Sequence, residues 1–368
     1  ASHETEHLRT GVLGRLLSGE ADCVVASVGA AAQLTVPPGV LGSRSFTLKR
    51  GNRIDPAALA GRLEACGYSR FDMVDGVCQF SVRGGIVDVF PSAAESPVRI
   101  EFWDDFVDNL FTFDPVTQRR TGEVQRLTVH PAAEVLAESP EKLIAKIEAL
   151  SASLRGKAVH TARPALERDI EALQTAGRLG SYDKYLPLLY QSNGLLDYMH
   201  DGDLLICVDS ARVKERLVNQ NKLMLENVKG LFLTGELCKG LDRFMLTFDD
   251  YAAACKKRSA IYLDNFARTA FDTPLGGLYT FECRQSGAWN GTLQHLKSEF
   301  YPMLHRGYTV VIAAGTKRAG AALAHDISSM GAQAHFFETQ PSAFVPGAVN
   351  VLAQSFSVGF EYPALHFL

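Results

Sequence analysis

Between Val98 and Trp103 the sequence runs Val-Arg-Ile-Glu-Phe-Trp. The alternation of a strand puts Val98, Ile100 and Phe102 on one face and Arg99, Glu101 and Trp103 on the other. The first set is a core face. The second sets a guanidinium and an indole side by side on the face toward water, and those residue types carry much of the energy where proteins bind one another. The chemistry on offer is recognition: an aromatic anchor, and a planar fork of donors that matches a carboxylate. The same residues allow a second arrangement, with Trp103 covered by one of the chain's own loops and Arg99 paired with Glu101 or Asp105.

Other candidate chemistry is weaker. A phosphate loop of the form G-x-x-x-x-G-K-[ST] does not occur. Gly315-Thr316-Lys317 follows a strand pattern and opens a helix, but lacks the upstream Gly and the Gly-Lys order, so a strand-to-helix turn is expected. Val208-Asp209-Ser210 ends a strand where a Walker B carboxylate would hold magnesium. No second acid follows it, so Asp209 or Ser210 is expected to cap the next helix. His3 and His7 have metal-pair spacing on a helix, yet sit at the chain terminus and read as surface. The seven cysteines form no C-x-x-C, which indicates reduced thiols and a cytoplasmic setting. The segment is expected to catalyse nothing and to hold neither metal nor nucleotide.

The elements that must position Arg99 and Trp103 belong to a small domain at residues 46–135. A strand is expected at 45–48, and a helix at 55–65 with Asp55 as cap and Pro56 at its first position. Strands follow at 77–82, 86–90, 98–103, 107–113 and 125–129. Asp104-Asp105 turns the third into the fourth as an antiparallel hairpin, and Gly84-Gly85 reads as a bulge that bends its strand.

On either side the pattern is α/β. Helical spacing covers 4–17, with Gly19 as its stop. Residues 23–28, Cys-Val-Val-Ala-Ser-Val, read as a strand buried on both faces of a parallel sheet, and Val36-Pro37-Pro38-Gly39 as a turn. After 135, Ser139-Pro140 caps a helix, 204–208 is a strand and 211–228 a helix. Strand candidates lie at 230–233 and 259–263. Helices at 293–304 and 317–330 then alternate with strands at 308–314, 333–337 and 349–353, a parallel sheet with crossovers. No apolar run reaches membrane-spanning length, and the net charge of −4 gives no global pull toward nucleic acid. Without an initiator Met, and with an apolar run still open at Leu368, the chain reads as a segment of something longer.

Residues 67–131 resemble the domain shared by nucleotide-excision-repair proteins of the UvrB and transcription-repair coupling (Mfd) families. The matching residues are Gly67-Tyr68 and the run Phe80-Ser81-Val82-Arg83-Gly84-Gly85-Ile86-Val87-Asp88-Val89-Phe90-Pro91. They continue in Val98 to Asp105, Leu110, Phe113-Asp114-Pro115 and Gln118-Arg119. Weaker likeness extends to 17–28, 212–216 and 359–363. The resemblance implies degenerate RecA-like parallel-sheet portions flanking a small α+β antiparallel-sheet domain. Its parts would be the end of a helicase-like domain at 1–45, the UvrB-like domain at 46–135 and a further α/β portion at 136–368. It implies a non-catalytic module that recruits UvrA through Arg83, Arg99 and Trp103, the last at a position usually Phe in the family. ATP and magnesium would serve motor domains elsewhere in the parent, which would also meet RNA polymerase and DNA. A C-terminal domain of the parent would mask the docking face. The alternative is a segment of a UvrB-type excinuclease subunit, which would bind ATP.

Overall fold

A computed structural model of the chain describes residues 3–177, 179, 181–266, 271–286 and 292–368, the side chain of His3 lying outside the description. Two units are present, Ala1–Pro274 and Leu275–Leu368.

The centre of the first unit is a sheet built by the alternation read above. Strands β1 (Phe46–Lys49) and β8 (Arg126–Val129) pair antiparallel. Strands β2 (Ser69–Arg70), β3 (Gln79–Arg83), β4 (Ile86–Val89), β5 (Val98–Trp103), β6 (Phe106–Phe113) and β7 (Arg120–Glu123) form one sheet in that order. Every neighbouring pair in it is antiparallel except β2–β3. One face of the sheet buries Phe80, Val87, Val89, Val98, Ile100 and Leu110 against Leu59 and Leu63 of the helix Pro56–Ala65. Asp55 caps that helix as expected, accepting from the Ala58 N–H at 2.9 Å. The two-residue strand β2 and the strand β7, Arg-Thr-Gly-Glu, were not expected: neither has an apolar alternation to read.

Gly84-Gly85 is a turn and not a bulge. Arg83 pairs with Ile86, so these two glycines are the whole connection between β3 and β4, and Gly84 has φ +58°. The bulge falls instead where the β5–β6 register shifts between Glu101 and Phe102. Asp104, also left-handed at φ +57°, then turns β5 into β6 with Trp103 opposite Phe106.

Residues 23–28 are not a buried strand. They run unpaired, Val25 is 93% exposed, and Ser27 caps a short helix at Val28–Ala32. An apolar strand needs neighbours on both edges to be buried, and none pairs with it among the described residues. Residues 230–233 are helical, not a strand: the helix Ser210–Thr234 continues through Gly230 to a left-handed Gly235. A helical Gly costs about 1 kcal/mol relative to Ala, and here Leu231 and Phe232 offset it by packing beside Val228 and Leu237. The turn expected at Val36 to Gly39 is the start of a helix, Pro38–Arg44, with a Pro at its first position. Strands β9 (Leu204–Val208) and β10 (Ser259–Leu263) form a parallel pair.

In the second unit β11 (Arg284–Ser286) pairs antiparallel with β15 (Gly359–Glu361). Strands β12 (Val310–Ala313), β13 (Ala334–Phe337) and β14 (Val349–Leu352) make a parallel sheet in the order β12-β14-β13. Helices Leu293–His305 and Lys317–Ser329 bury Phe300 and Ile327 against its Val349 and Val351. The protein is therefore mixed α/β, with separate parallel and antiparallel sheets. Among the described residues no helix is long and apolar enough to cross a membrane.

Where the chain leaves the small sheet, His130 is buried among three segments. Ser45 Oγ gives its proton to the Leu41 carbonyl at 2.8 Å, so it accepts from His130 Nδ1 at 2.9 Å. Nε2 is then free to accept from the Ser18 hydroxyl at 3.1 Å. Burial lowers the His130 pKa below its ordinary value, with Glu20 opposing. A depressed histidine contributes stability above its unfolded pKa of about 6.5, and that contribution is lost as pH falls below it. Urea unfolding at pH 7.5 and 5.5 is expected to show a smaller stability difference in His130→Gln than in the parent. An unchanged difference would remove His130 as the cause.

Candidate functional site

The face of the sheet opposite the core carries three cross-strand rows. Nearest the hairpin tips, Trp103 lies across from Phe106. The next row runs Arg83, Ile86, Glu101, Asn109 across β3 to β6, and the third Ser81, Asp88, Arg99, Phe111. Period-2 alternation alone puts these side chains on one surface, so the three expected site residues do share a face.

Their environments differ. Trp103 is 80% exposed; no loop of the chain covers it among the described residues. Beside it Phe106 is also exposed, and Arg53 lies 5.4 Å over the Phe106 ring while bonding Asp105 at 2.5 Å. Asp105 is thus committed to Arg53. Arg99 takes neither of the partners considered from sequence, Glu101 or Asp105. Its Nε and Nη2 donate to the two oxygens of Asp88, at 2.6 and 2.8 Å, and Nη2 donates also to Gln118 Oε1 at 3.0 Å. The guanidinium stacks 4.6 Å from the centre of the buried Phe113 ring, leaving the side chain 16% exposed. Arg83 reaches diagonally to the same acid, Nη2 to Asp88 Oδ2 at 2.5 Å, and stays 46% exposed.

Asp88 is the residue the sequence reading missed as a site member. Its carboxylate is fully buried and accepts from both arginines. The signal was available: Asp88 is two residues from Ile86 and shares its outward parity, in a strand otherwise apolar. A buried carboxylate demands charged donors, and the hydrogen bonds that Arg99 donates to Asp88 raise the Arg99 pKa, burial opposing. The site thus has a locked cation, a half-exposed cation and an exposed aromatic pair, one ring of which lies under Arg53.

The weaker candidates do not assemble. Asp209 caps the helix Ser210–Thr234, accepting from the Arg212 N–H at 3.5 Å, and Ser210 is held by Asp264. Thr316 caps Lys317–Ser329. The stretch His3-Glu4-Thr5-Glu6-His7 spells H-E-x-x-H by letter, but its glutamate, Glu4, is exposed and the His3 side chain lies outside the described residues. Among the described residues no group of three His, Cys, Asp or Glu is placed to hold a metal.

Residues 46–134, the segment that contains all three rows, match the family described as UvrB interaction domain. The match is confined to this segment. The matched segment begins with β1 and ends just past β8, and its core is the cluster from Phe46 to Ala132. Around it, the whole chain is similar to transcription-repair-coupling factors. It is 30% identical to that of Bacillus subtilis (strain 168) over 373 aligned residues, which cover 99% of this chain and 31% of that protein. To those of Staphylococcus epidermidis (strain ATCC 35984) and Staphylococcus aureus (strain USA300) it is 24% identical, over 98% of this chain and 31% of each relative. The chain therefore spans about a third of the length of these curated relatives, and the segment matching the family model is one part of that third.

Proposed function

We propose that this chain is a non-catalytic docking module that recruits UvrA through the open face of its UvrB interaction domain. Within a longer protein of the transcription-repair-coupling type, it would bring UvrA to RNA polymerase stalled at DNA damage. The observation that carries this reading is Trp103, largely exposed beside Phe106, with Arg83 and Arg99 on the same face. An exposed indole on one face with guanidinium donors is what an interface anchor requires, and the match to the UvrB interaction domain supports the excision-repair context.

The surrounding parts are scaffold in this reading. Residues 1–45 and 136–368 are degenerate RecA-like portions flanking the domain at 46–135, the latter range holding both the rest of the first unit and the second unit. They bind no nucleotide. ATP and magnesium belong to motor domains of the longer protein, as do the contacts with DNA and RNA polymerase. A C-terminal domain of that protein covers the docking face at rest, and the setting is cytoplasmic.

Isothermal titration separates this from a UvrB-type segment, an ATP-dependent enzyme that verifies DNA damage. The chain is expected to give saturable heat with UvrA and none with Mg-ATP. Heat with Mg-ATP and none with UvrA would reverse the assignment.

A further inference from the structure

Two side chains hold the docking arginines from within the chain. Asp88 is fully buried, and Gln118 sits in a loop that folds over the third row. We propose that Asp88 and Gln118 are positioning residues, which fix Arg83 and Arg99 so that their remaining donors meet a carboxylate on the partner. This rests on the docking reading above.

The geometry of Asp88 is that of a clamp. One oxygen takes Arg99 Nε, and the other takes Arg99 Nη2 and Arg83 Nη2. The two guanidinium groups reach it from β3 and β5, on either side of β4, and would repel each other without it. With it, the trio carries a single net positive charge and each arginine loses rotamer freedom before any partner arrives. Ordering long side chains in advance removes a cost that binding otherwise carries. Among the described residues Nη1 of Arg99 makes no hydrogen bond, so its two protons are the end offered outward.

Gln118 closes the other side. It holds a left-handed backbone, φ +60°, which few residues other than Gly adopt. Asp114 imposes it: the Asp114 side chain accepts from the N–H groups of Val116 and Thr117, and its carbonyl accepts from the Gln118 N–H at 2.8 Å. The Gln118 amide nitrogen donates to the carbonyls of Val74 and Pro115, at 3.3 and 2.8 Å. Those two bonds decide which way the amide points, so its oxygen must face Arg99. Strain held by a turn to aim one acceptor at one guanidinium is the pattern expected at a functional position.

UvrA affinity, measured by titration of the full chain, tests this with Asp88→Asn and Gln118→Met, each alone and combined with Arg99→Ala, and with a thermal melt of every variant. Alone, Asp88→Asn is expected to weaken binding about tenfold and Gln118→Met about threefold, in the range of interface truncations. Gln118 touches the docking arginines only through Arg99, so in the Arg99→Ala background Gln118→Met should cause no further loss. Asp88→Asn should keep there only the part it exerts through Arg83. Equal losses in both backgrounds would show action through the fold as a whole and overturn the proposal, as would affinities within about twofold of the parent for both single variants. Should Asp88→Asn fail to fold, the cycle on the loop residue Gln118 still decides. If Arg99→Ala and Arg83→Ala themselves bind UvrA like the parent, the docking reading fails. If they bind weakly while Gln118→Met and Asp88→Asn do not, only the positioning role fails.

Discussion

Trp103→Ala is expected to weaken UvrA binding by about 30-fold, roughly 2 kcal/mol, with no change in melting temperature. The two halves of that expectation come from one fact: the indole is largely exposed, so the folded chain gains little from it. The side chain lies at the end of β5, past the bulge, opposite Phe106 and beyond the last core contact of that strand, Phe102. Trp103→Phe, which keeps an aromatic anchor, should retain most of the affinity. The pair is read by titration against UvrA alongside a thermal melt. Full affinity in Trp103→Ala would mean that the exposed ring is not the anchor.

Arg99→Ala and Arg83→Ala are expected to look alike in binding and differ in stability. Removing Arg99 strips the buried Asp88 of its two-bond partner and uncovers the Phe113 ring. Leaving a buried carboxylate short of its donors costs about 2–3 kcal/mol. Arg83 is about half exposed and gives Asp88 a single bond, so its loss should cost about 1 kcal/mol or less. Urea unfolding with an unchanged denaturant slope would report the difference as a shift in midpoint. Equal midpoints for the two variants would show that Asp88 does not depend on Arg99 as the distances imply.

Much of the docking face was legible because a strand obeys a period of two. Val98 to Trp103 needed no structure to be divided into a core face and an outer face, and Asp104-Asp105 announced its hairpin. What remained hidden were contacts across strands. Arg99 meets Asp88 because β4 and β5 are in register at those residues, and register is not written in one strand: the sequence pattern makes Gly84-Gly85 a bulge where the chain turns and shows nothing of the bulge after Glu101. The two misplaced strands outside the small domain have one cause. The apolar runs at 23–28 and 230–233 were read as strands from composition, but composition does not say whether a neighbour exists to pair with. At 230–233 a helix already under way captured the run; at 23–28 no partner strand is present among the described residues. Strand β7 escaped because its four residues, mostly exposed, carry no alternation at all.

The most direct test of the docking face is hydrogen exchange of the chain with and without saturating UvrA. Slowed exchange is expected at the tips of the two hairpins, in peptides spanning residues 83–86 and 101–107, with the sheets of the second unit unchanged. Protection confined to other surfaces, with both hairpin tips exchanging as in the free chain, would contradict it.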